Sequence, residues 1–182
     1  MIYVFLAPGF EEIEALAVVD VLRRAELDVL TVGVGEDFVI GSHQIPVACD
    51  ISEKSLILDD KIEAIVLPGG MPGTLNLEKS AVVQKAIDWA VQNDKLICAI
   101  CAAPSILGHK NLLDGKKATC FPGFEEELFG AEVSKDFVVK DGNFITAKGM
   151  GSAIEFGLQI AEILANPMEV KKIRASLQIY NG

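Results

Sequence analysis

Cys101 follows a short apolar run, Leu96 to Ile100, and precedes Ala102, Ala103, Pro104 and a second apolar run. An apolar run without alternation reads as a strand buried on both faces. Small residues permit a tight turn. Proline is tolerated in a first helical turn, where its missing N–H costs little. Cys101 is therefore expected at the carboxyl end of a central strand and beside a helix N-terminus, where open α/β sheets bind ligands. A thiol there is a candidate nucleophile, because the thiolate is the reactive form and helix N-termini favour it. The dipole contributes about 0.3–1 kcal/mol, at best about 2, and one pKa unit is about 1.4 kcal/mol. It moves a thiol by roughly one unit, so strong acidification needs specific hydrogen bonds as well. The alternative is a buried cysteine packed as a small hydrophobe.

Two further stretches could complete a site. The first is Pro68-Gly69-Gly70-Met71-Pro72-Gly73, after the apolar run Glu63 to Leu67. Glycines let a backbone turn tightly and point N–H groups outward. With the N–H groups after Cys101 they could form an oxyanion hole, each donor contributing about 3–4 kcal/mol to a transition state. Read structurally, Pro-Gly-Gly is a turn, and neither phosphate-loop pattern follows it. The second stretch is Glu11-Glu12-Ile13-Glu14. Carboxylates in a first helical turn favourably offset the dipole. Glu14 differs in register, lying one turn from Ala17 and Val18 along the boundary of the apolar face. Beside a thiolate it would have to be protonated, because two adjacent anions are costly. It could then donate a hydrogen bond to the sulfur and later shuttle a proton.

Other arrangements fit less well. Cys98 and Cys101 form a C-x-x-C, but Cys98 falls inside the strand and reads as buried and structural. Cys49 and Cys120 are isolated and only His43 and His109 are available, which excludes a zinc site. A cysteine hydrolase normally wants a histidine base. His109 lies two turns down the helix, away from the mouth. His43 belongs to a hairpin and could reach the rim as a substrate contact.

The elements that must hold these residues alternate. Strands are expected at Ile2 to Leu6, Asp28 to Val34, Glu63 to Leu67, Leu96 to Ile100 and Lys117 to Phe121. Helices are expected at Glu11 to Ala25, with Ile13, Leu16, Ala17 and Val21 marking its apolar face, and at Ser80 to Asn93 behind a Ser80 cap. A helix follows Cys101, and others span Gly123 to Phe129, Ser152 to Ala165 and Met168 to Gln178. Phe38 to Val47 and Asp136 to Ala147 read as hairpins, the latter around Asp141-Gly142. Asp50 to Asp60 reads as irregular. Alternation of this kind implies an α/β fold with a mostly parallel sheet covered on both faces and small antiparallel additions. With no repeat or linker, residues 1–182 read as one domain.

Composition narrows the function classes. The chain has 182 residues, 51% hydrophobic, enough for a sizeable core. With 16 Lys and Arg against 26 Asp and Glu, the net charge is −10. No basic cluster offsets it, so neither nucleic acid nor an anionic membrane is an expected partner. No apolar run reaches the length of a membrane span. The first ten residues read as a strand, not a signal peptide. Four scattered cysteines do not make a disulfide scaffold, and a reducing cytoplasm is expected.

Leu6 to Glu14 (LAPGFEEIE), Val66 to Gly70 (VLPGG) and Ala99 to Pro104 (AICAAP), in this order and spacing, resemble the DJ-one/ThiJ/PfpI superfamily in its Parkinson-disease-protein-like branch. The resemblance covers nearly the whole chain, including Lys148-Gly149-Met150-Gly151 before a helix. It implies a flavodoxin-like three-layer sandwich and a homodimer. It implies that Cys101 is the nucleophile on a strained elbow, Glu14 its protonated partner, and Gly70 and Ala102 the backbone donors. It also implies an easily oxidised cysteine and no cofactor or metal. Activities attributed to the family are a cofactor-free glyoxalase, which converts methylglyoxal to lactate, and a protein deglycase, which removes early methylglyoxal or glyoxal adducts. Chaperone and redox-sensor roles are attributed as well.

Departures from the family pattern are informative. Phe121 stands where many members place a histidine near the site. Ala102 stands where PfpI-type proteases and the chaperone glyoxalases carry one. The His-x-Glu of class I glutamine amidotransferases is absent, so protease and amidotransferase readings weaken. His43 replaces an arginine, and Met150 replaces a proline on the cleft wall. The expectation is a cytoplasmic, cysteine-dependent enzyme acting on small 2-oxoaldehydes or glycated protein. The alternative is a redox-responsive binding or chaperone protein in which oxidation of Cys101 is the signal.

Overall fold

The computed structural model describes residues 1–178. In chain order the elements are β1 (Ile2–Leu6), α1 (Glu12–Arg24), β2 (Val29–Gly33), β3 (Phe38–Ile40), β4 (Pro46–Ala48), β5 (Ile51–Ser52), β6 (Ala64–Leu67), α2 (Gly73–Lys79), α3 (Ala81–Gln92), β7 (Leu96–Ile100), α4 (Pro104–His109), β8 (Lys117–Ala118), β9 (Glu132–Val133), β10 (Val138–Asp141), β11 (Phe144–Ala147), α5 (Ala153–Leu164) and α6 (Pro167–Ser176).

Seven strands form the main sheet in the order β10-β11-β7-β6-β1-β2-β5. All neighbours are parallel except β10 and β11, a hairpin that lays β11 alongside β7. Period-two alternation divides each central strand between two cores. In β1, Ile2, Val4 and Leu6 enter the core under α1, α5 and α6. Tyr3 and Phe5 enter the one under α2, α3 and α4. In β7, Cys98 and Ile100 go one way and Ile97 and Ala99 the other. A side chain buried this fully contributes about 1.5–3 kcal/mol, so both strands are anchored from both faces. This is the expected three-layer α/β sandwich. Among the described residues no helix is long and apolar enough to cross a membrane.

The order places a switch point between β1 and β6. From β1 the chain steps outward to β2, then returns to β6 and continues the other way through β7 to β11. The loops leaving β1 and β6 therefore diverge and open a crevice at the carboxyl ends of the strands. Glu14, Gly69, Gly70 and Cys101 all follow strands at that end.

Several local expectations need correction. On α1 the buried residues are Glu12, Glu14, Ala15, Val18, Val19, Val21 and Leu22. Ile13 and Leu16, expected inside, are 50% and 37% exposed. The inward stripe is centred on Glu14, Val18 and Leu22, so a carboxyl group occupies a core position. Helix α2 was not anticipated, because Gly73 and the turn before it hide its start. Within Asp50 to Asp60 a two-residue strand, β5, pairs with β2. The strand expected over Lys117 to Phe121 is only β8, paired with β9 outside the main sheet. The acidic helix expected at Gly123 to Phe129 shrinks to a single 3-10 turn, Glu125–Glu127. Pro167 opens α6 as its first residue, with the Asn166 side chain capping it.

Candidate active site

Cys101 sits on the turn between β7 and α4 with φ 66°, a left-handed conformation. For a residue with a Cβ this strain costs about 1–3 kcal/mol and persists only when the surroundings over-determine it. Here they do. The Cys101 N–H donates to the carbonyl of Ala147 at 2.9 Å, and its carbonyl accepts from the N–H of Phe121 at 2.8 Å. The sharp turn leaves the thiol half-buried at the crevice.

Glu14 comes to the sulfur from α1. It is 1% exposed. The Glu11 side chain caps α1 by accepting from the Glu14 N–H at 2.7 Å, which fixes the first turn. One carboxyl oxygen, Oε2, accepts from the N–H of Gly69 at 3.0 Å. The Met150 N–H also donates to this carboxyl group, and the carboxyl group and the Cys101 thiol are hydrogen-bonded to each other.

The Gly-rich turn is shaped by this contact. A Cβ on Gly69 would lie 2.5 Å from the Cys101 Cβ and 2.6 Å from Glu14 Oε2. Gly70 has φ 91°, and a Cβ there would meet the Glu11 backbone nitrogen at 2.4 Å. Neither position admits another residue without displacing the site. The loops are also joined directly, the Glu11 N–H donating to the Gly69 carbonyl at 2.9 Å. In this arrangement the N–H groups of Gly70 and Ala102 both point at the Cys101 sulfur. The four residues expected to share a site, Glu14, Gly70, Cys101 and Ala102, are thus brought together.

The electrostatics differ from the expectation of a Cys101 thiolate held beside a protonated Glu14, because here the carboxyl group gives up its proton more readily than the thiol. Burial pushes the Cys101 thiol up to about 12, and the Glu14 charge adds to this, while the Gly70 and Ala102 N–H groups pull it down. Burial likewise pushes Glu14 up to about 7, against its hydrogen bonds to Cys101, Gly69 and Met150 and with the Glu11 charge reinforcing the rise. Two adjacent buried acids cannot both ionise cheaply, so the pair releases one proton near neutrality and keeps the other. The acidity of the site belongs to the pair. The other three thiols lack this partner: burial raises Cys49, Cys98 and Cys120, and Cys98 is fully enclosed.

His43 is 71% exposed and reaches the start of α1 rather than the sulfur. Its N–H donates to Glu12 Oε1 at 2.8 Å and its Nδ1 lies 3.1 Å from Glu12 Oε2. The β3–β4 hairpin folds over this turn through Gly9 N–H to the Ile40 carbonyl and Ser42 N–H to the Phe10 carbonyl, each at 2.8 Å. Glu11, Glu12 and His43 place ligand atoms within 4.8 Å of one another. The Glu12 oxygens are already satisfied by Ser42, His43 and Ile45, so the group is a closed hydrogen-bond cluster. Sequence reasoning missed it, as it missed the Met150, Ala147 and Phe121 backbone contacts, because each joins segments far apart in the chain. His109 points away from the mouth as expected, bridging Glu78 at 2.5 Å and Glu127 at 2.8 Å.

A cysteine on a strained strand-to-helix elbow, faced by a buried carboxyl group and two backbone donors at the carboxyl edge of a parallel sheet, defines a class of cysteine-elbow α/β proteins. The DJ-1/PfpI family model matches residues 1–163, and the chain belongs to that family. Protein dj-1beta of Drosophila melanogaster is 38% identical over 98% of this chain and 97% of its own length. The Parkinson disease protein 7 homolog of Danio rerio is 33% identical over 96% and 94%. Among solved structures, Drosophila melanogaster DJ-1beta superposes with a TM-score of 0.91 at 36% identity, covering 98% of this chain and 97% of that one. A cysteine-to-alanine mutant of a DJ-1 superfamily protein from Salmonella typhimurium gives 0.92 at 32%, covering 98% of both.

Proposed function

We propose that this protein is a cofactor-free, cysteine-dependent enzyme of the glyoxalase or deglycase type, acting on 2-oxoaldehydes or their early protein adducts. The observation that carries the reading is the hydrogen-bonded pair of Cys101 and buried Glu14 beneath the two N–H groups that face the sulfur. A relative supports it: a Caenorhabditis elegans protein named glutathione-independent glyoxalase DJR-1.2 is 31% identical over 90% of this chain and 87% of its own length.

In the reactive form Cys101 is the thiolate and Glu14 the acid. The sulfur adds to the aldehyde carbon C1, and the new C1 oxyanion is met by the Gly70 and Ala102 N–H groups. Glu14 protonates that oxygen and becomes a carboxylate. It then removes the C1 hydrogen as a proton, giving an enediolate whose charge lies on O2. Returning that proton to C2, while the hydroxyl proton on O1 passes to O2, leaves a thioester of a 2-hydroxy acid. C1 is oxidised and C2 reduced in the same molecule, so no external redox partner enters. Water cleaves the thioester, releasing the hydroxy acid and the thiolate. Proton transfer by a positioned group is worth about 10²–10⁴-fold.

The enzyme works as a homodimer in a reducing cytoplasm; the outward apolar pair Ile13 and Leu16 supports a second copy against α1. The test is methylglyoxal consumption without glutathione, with Cys101→Ala and Glu14→Gln as controls. Unchanged consumption in both variants removes the enzyme. A second reading, a redox-responsive binding protein, draws on the half-buried thiol held by N–H donors, which can stabilise an oxidised sulfur. Selective, reversible peroxide oxidation of Cys101 with negligible aldehyde turnover would favour it.

A further inference from the structure

The mouth of the same site narrows the substrate class, an inference that rests on the enzyme reading above. Beside Glu14 lies a groove of about 350 Å³ lined by Phe121, Pro122, Phe137, Lys148, Gly149 and Met150. Phe121 and Met150 are 47% and 56% exposed, so its walls are apolar surface left open to solvent. The charge of Lys148 is drawn to the rim: its Nζ donates to the Lys135 carbonyl and lies 5.2 Å from the centre of the Phe137 ring.

The groove adjoins the carboxyl side of the site across Gly149. A Cβ on Gly149 would stand 3.3 Å from the Phe121 ring and 3.5 Å from Glu14 Oε1. The other carboxyl oxygen is held by Gly69. Phe121 also fixes the elbow through its backbone bond to Cys101. The ring and the carboxyl oxygen thus meet across Gly149, and the ring's own backbone is tied to the nucleophile.

We propose that this groove receives the substituent of the 2-oxoaldehyde, R in R–CO–CHO, and that the preferred substrates carry an aromatic or branched apolar R rather than a methyl group. With C1 at the sulfur and O1 toward Gly70 and Ala102, a substituent over Gly149 sets C2 against Glu14 Oε1. That is the carbon which must accept the proton Glu14 carries. Delivery from one fixed side makes a single enantiomer of the 2-hydroxy acid. The balance is R–CO–CHO plus water giving R–CH(OH)–COO⁻ plus a proton.

The experiment compares kcat/KM for phenylglyoxal and methylglyoxal, with chiral analysis of the mandelate formed. Apolar pocket contacts discriminate by about 10–200-fold. The unmodified protein should favour phenylglyoxal by about tenfold or more. Phe121→Ala should lower the phenyl-to-methyl ratio by a similar factor and erode the enantiomeric purity; Phe121→Tyr should restore both. Phe137→Ala, at the outer lip, provides a second variant and should lower the ratio less. Equal preference in the unmodified protein, or ratios unchanged in both alanine variants, overturns the proposal and leaves the enzyme reading standing. No turnover of either aldehyde removes both this proposal and the glyoxalase form of the enzyme reading. An unchanged ratio together with an altered sedimentation mass for Phe121→Ala would assign the groove to a second copy of the chain instead.

Discussion

Glu12 and Glu14 sit in the same helical turn and are buried almost equally, at 2% and 1% exposure, yet their surroundings push them in opposite directions. Burial alone would raise Glu12, but hydrogen bonds from His43 and from the His43 and Ile45 backbone hold it below the usual carboxylate range. Burial raises Glu14 to about 7, with the Glu11 charge adding to it, because its hydrogen bonds from Cys101, Gly69 and Met150 only partly oppose the cost of burying the charge. Burial makes a charge expensive; the partners decide whether it is kept. One carboxylate closes a structural cluster, and its neighbour is left ready to exchange a proton.

The comparison can be broken or sharpened by substitution. The largest effect is expected for Cys101→Ala, which should lower aldehyde turnover at least on the order of a thousandfold, read as initial rate at saturating substrate. Glu14→Gln should lower it by about 10²–10⁴-fold. The same variant should move the pH midpoint of Cys101 alkylation well above 7, because the thiol must then lose its proton without a carboxylate sharing the charge. A midpoint that stays near 7 would mean the pair is not the titrating unit.

Stability should show the two glutamates with opposite slopes. The folded pKa of Glu14 is raised, so its contribution is fully present below 4.5 and is lost as pH rises through about 7. The rise corresponds to about 3 kcal/mol. Denaturant midpoints of Glu14→Gln should therefore lose that decline and exceed the parent at pH 8. Glu12 is depressed, so its contribution is present above the ordinary carboxylate value and lost as pH falls through its folded one. Glu12→Gln should cost about 1–3 kcal/mol at neutral pH, with less effect on alkylation of Cys101 than Glu14→Gln. The smallest effect is expected at His109. The Glu78 hydrogen bond raises its pKa, against partial burial and with Glu127 adding. That contribution is present below the ordinary histidine value and fades as pH rises through the raised one. His109→Gln should cost about 1 kcal/mol or less at pH 6 and still less at pH 9, read from urea curves.

Much of this was legible because apolar runs and turn residues are local signals. Leu96 to Ile100 announces β7 and leaves Cys101 at its end. The helical register of Glu14 puts a carboxyl group against the apolar stripe, and the Ser80 cap is used as expected, accepting from Val83 at 3.3 Å. The register of α1 was misjudged by one side. Ile13 and Leu16 are more hydrophobic than Ala15, yet Ala15 is what the close packing under the sheet admits. Helix α2 was hidden because a Gly-rich turn and the glycine that opens a helix look alike. The pairing of Glu12 with His43, 31 residues apart, and the clamp of Ala147 and Phe121 on the elbow depend on contacts between separate segments of the chain. No local pattern encodes them.

The clamp on the elbow has a further consequence. Cys101 keeps its left-handed backbone only while β11 and the segment before the 3-10 turn hold it. Its chemistry also needs α1 and the loop after β6. A nascent or partly folded chain therefore carries an ordinary thiol, and the coupled thiol and carboxyl group exist only when pieces from both halves of the chain have met. The share of chains in which that thiol titrates together with its carboxyl partner is, in effect, a gauge of how many molecules have finished folding.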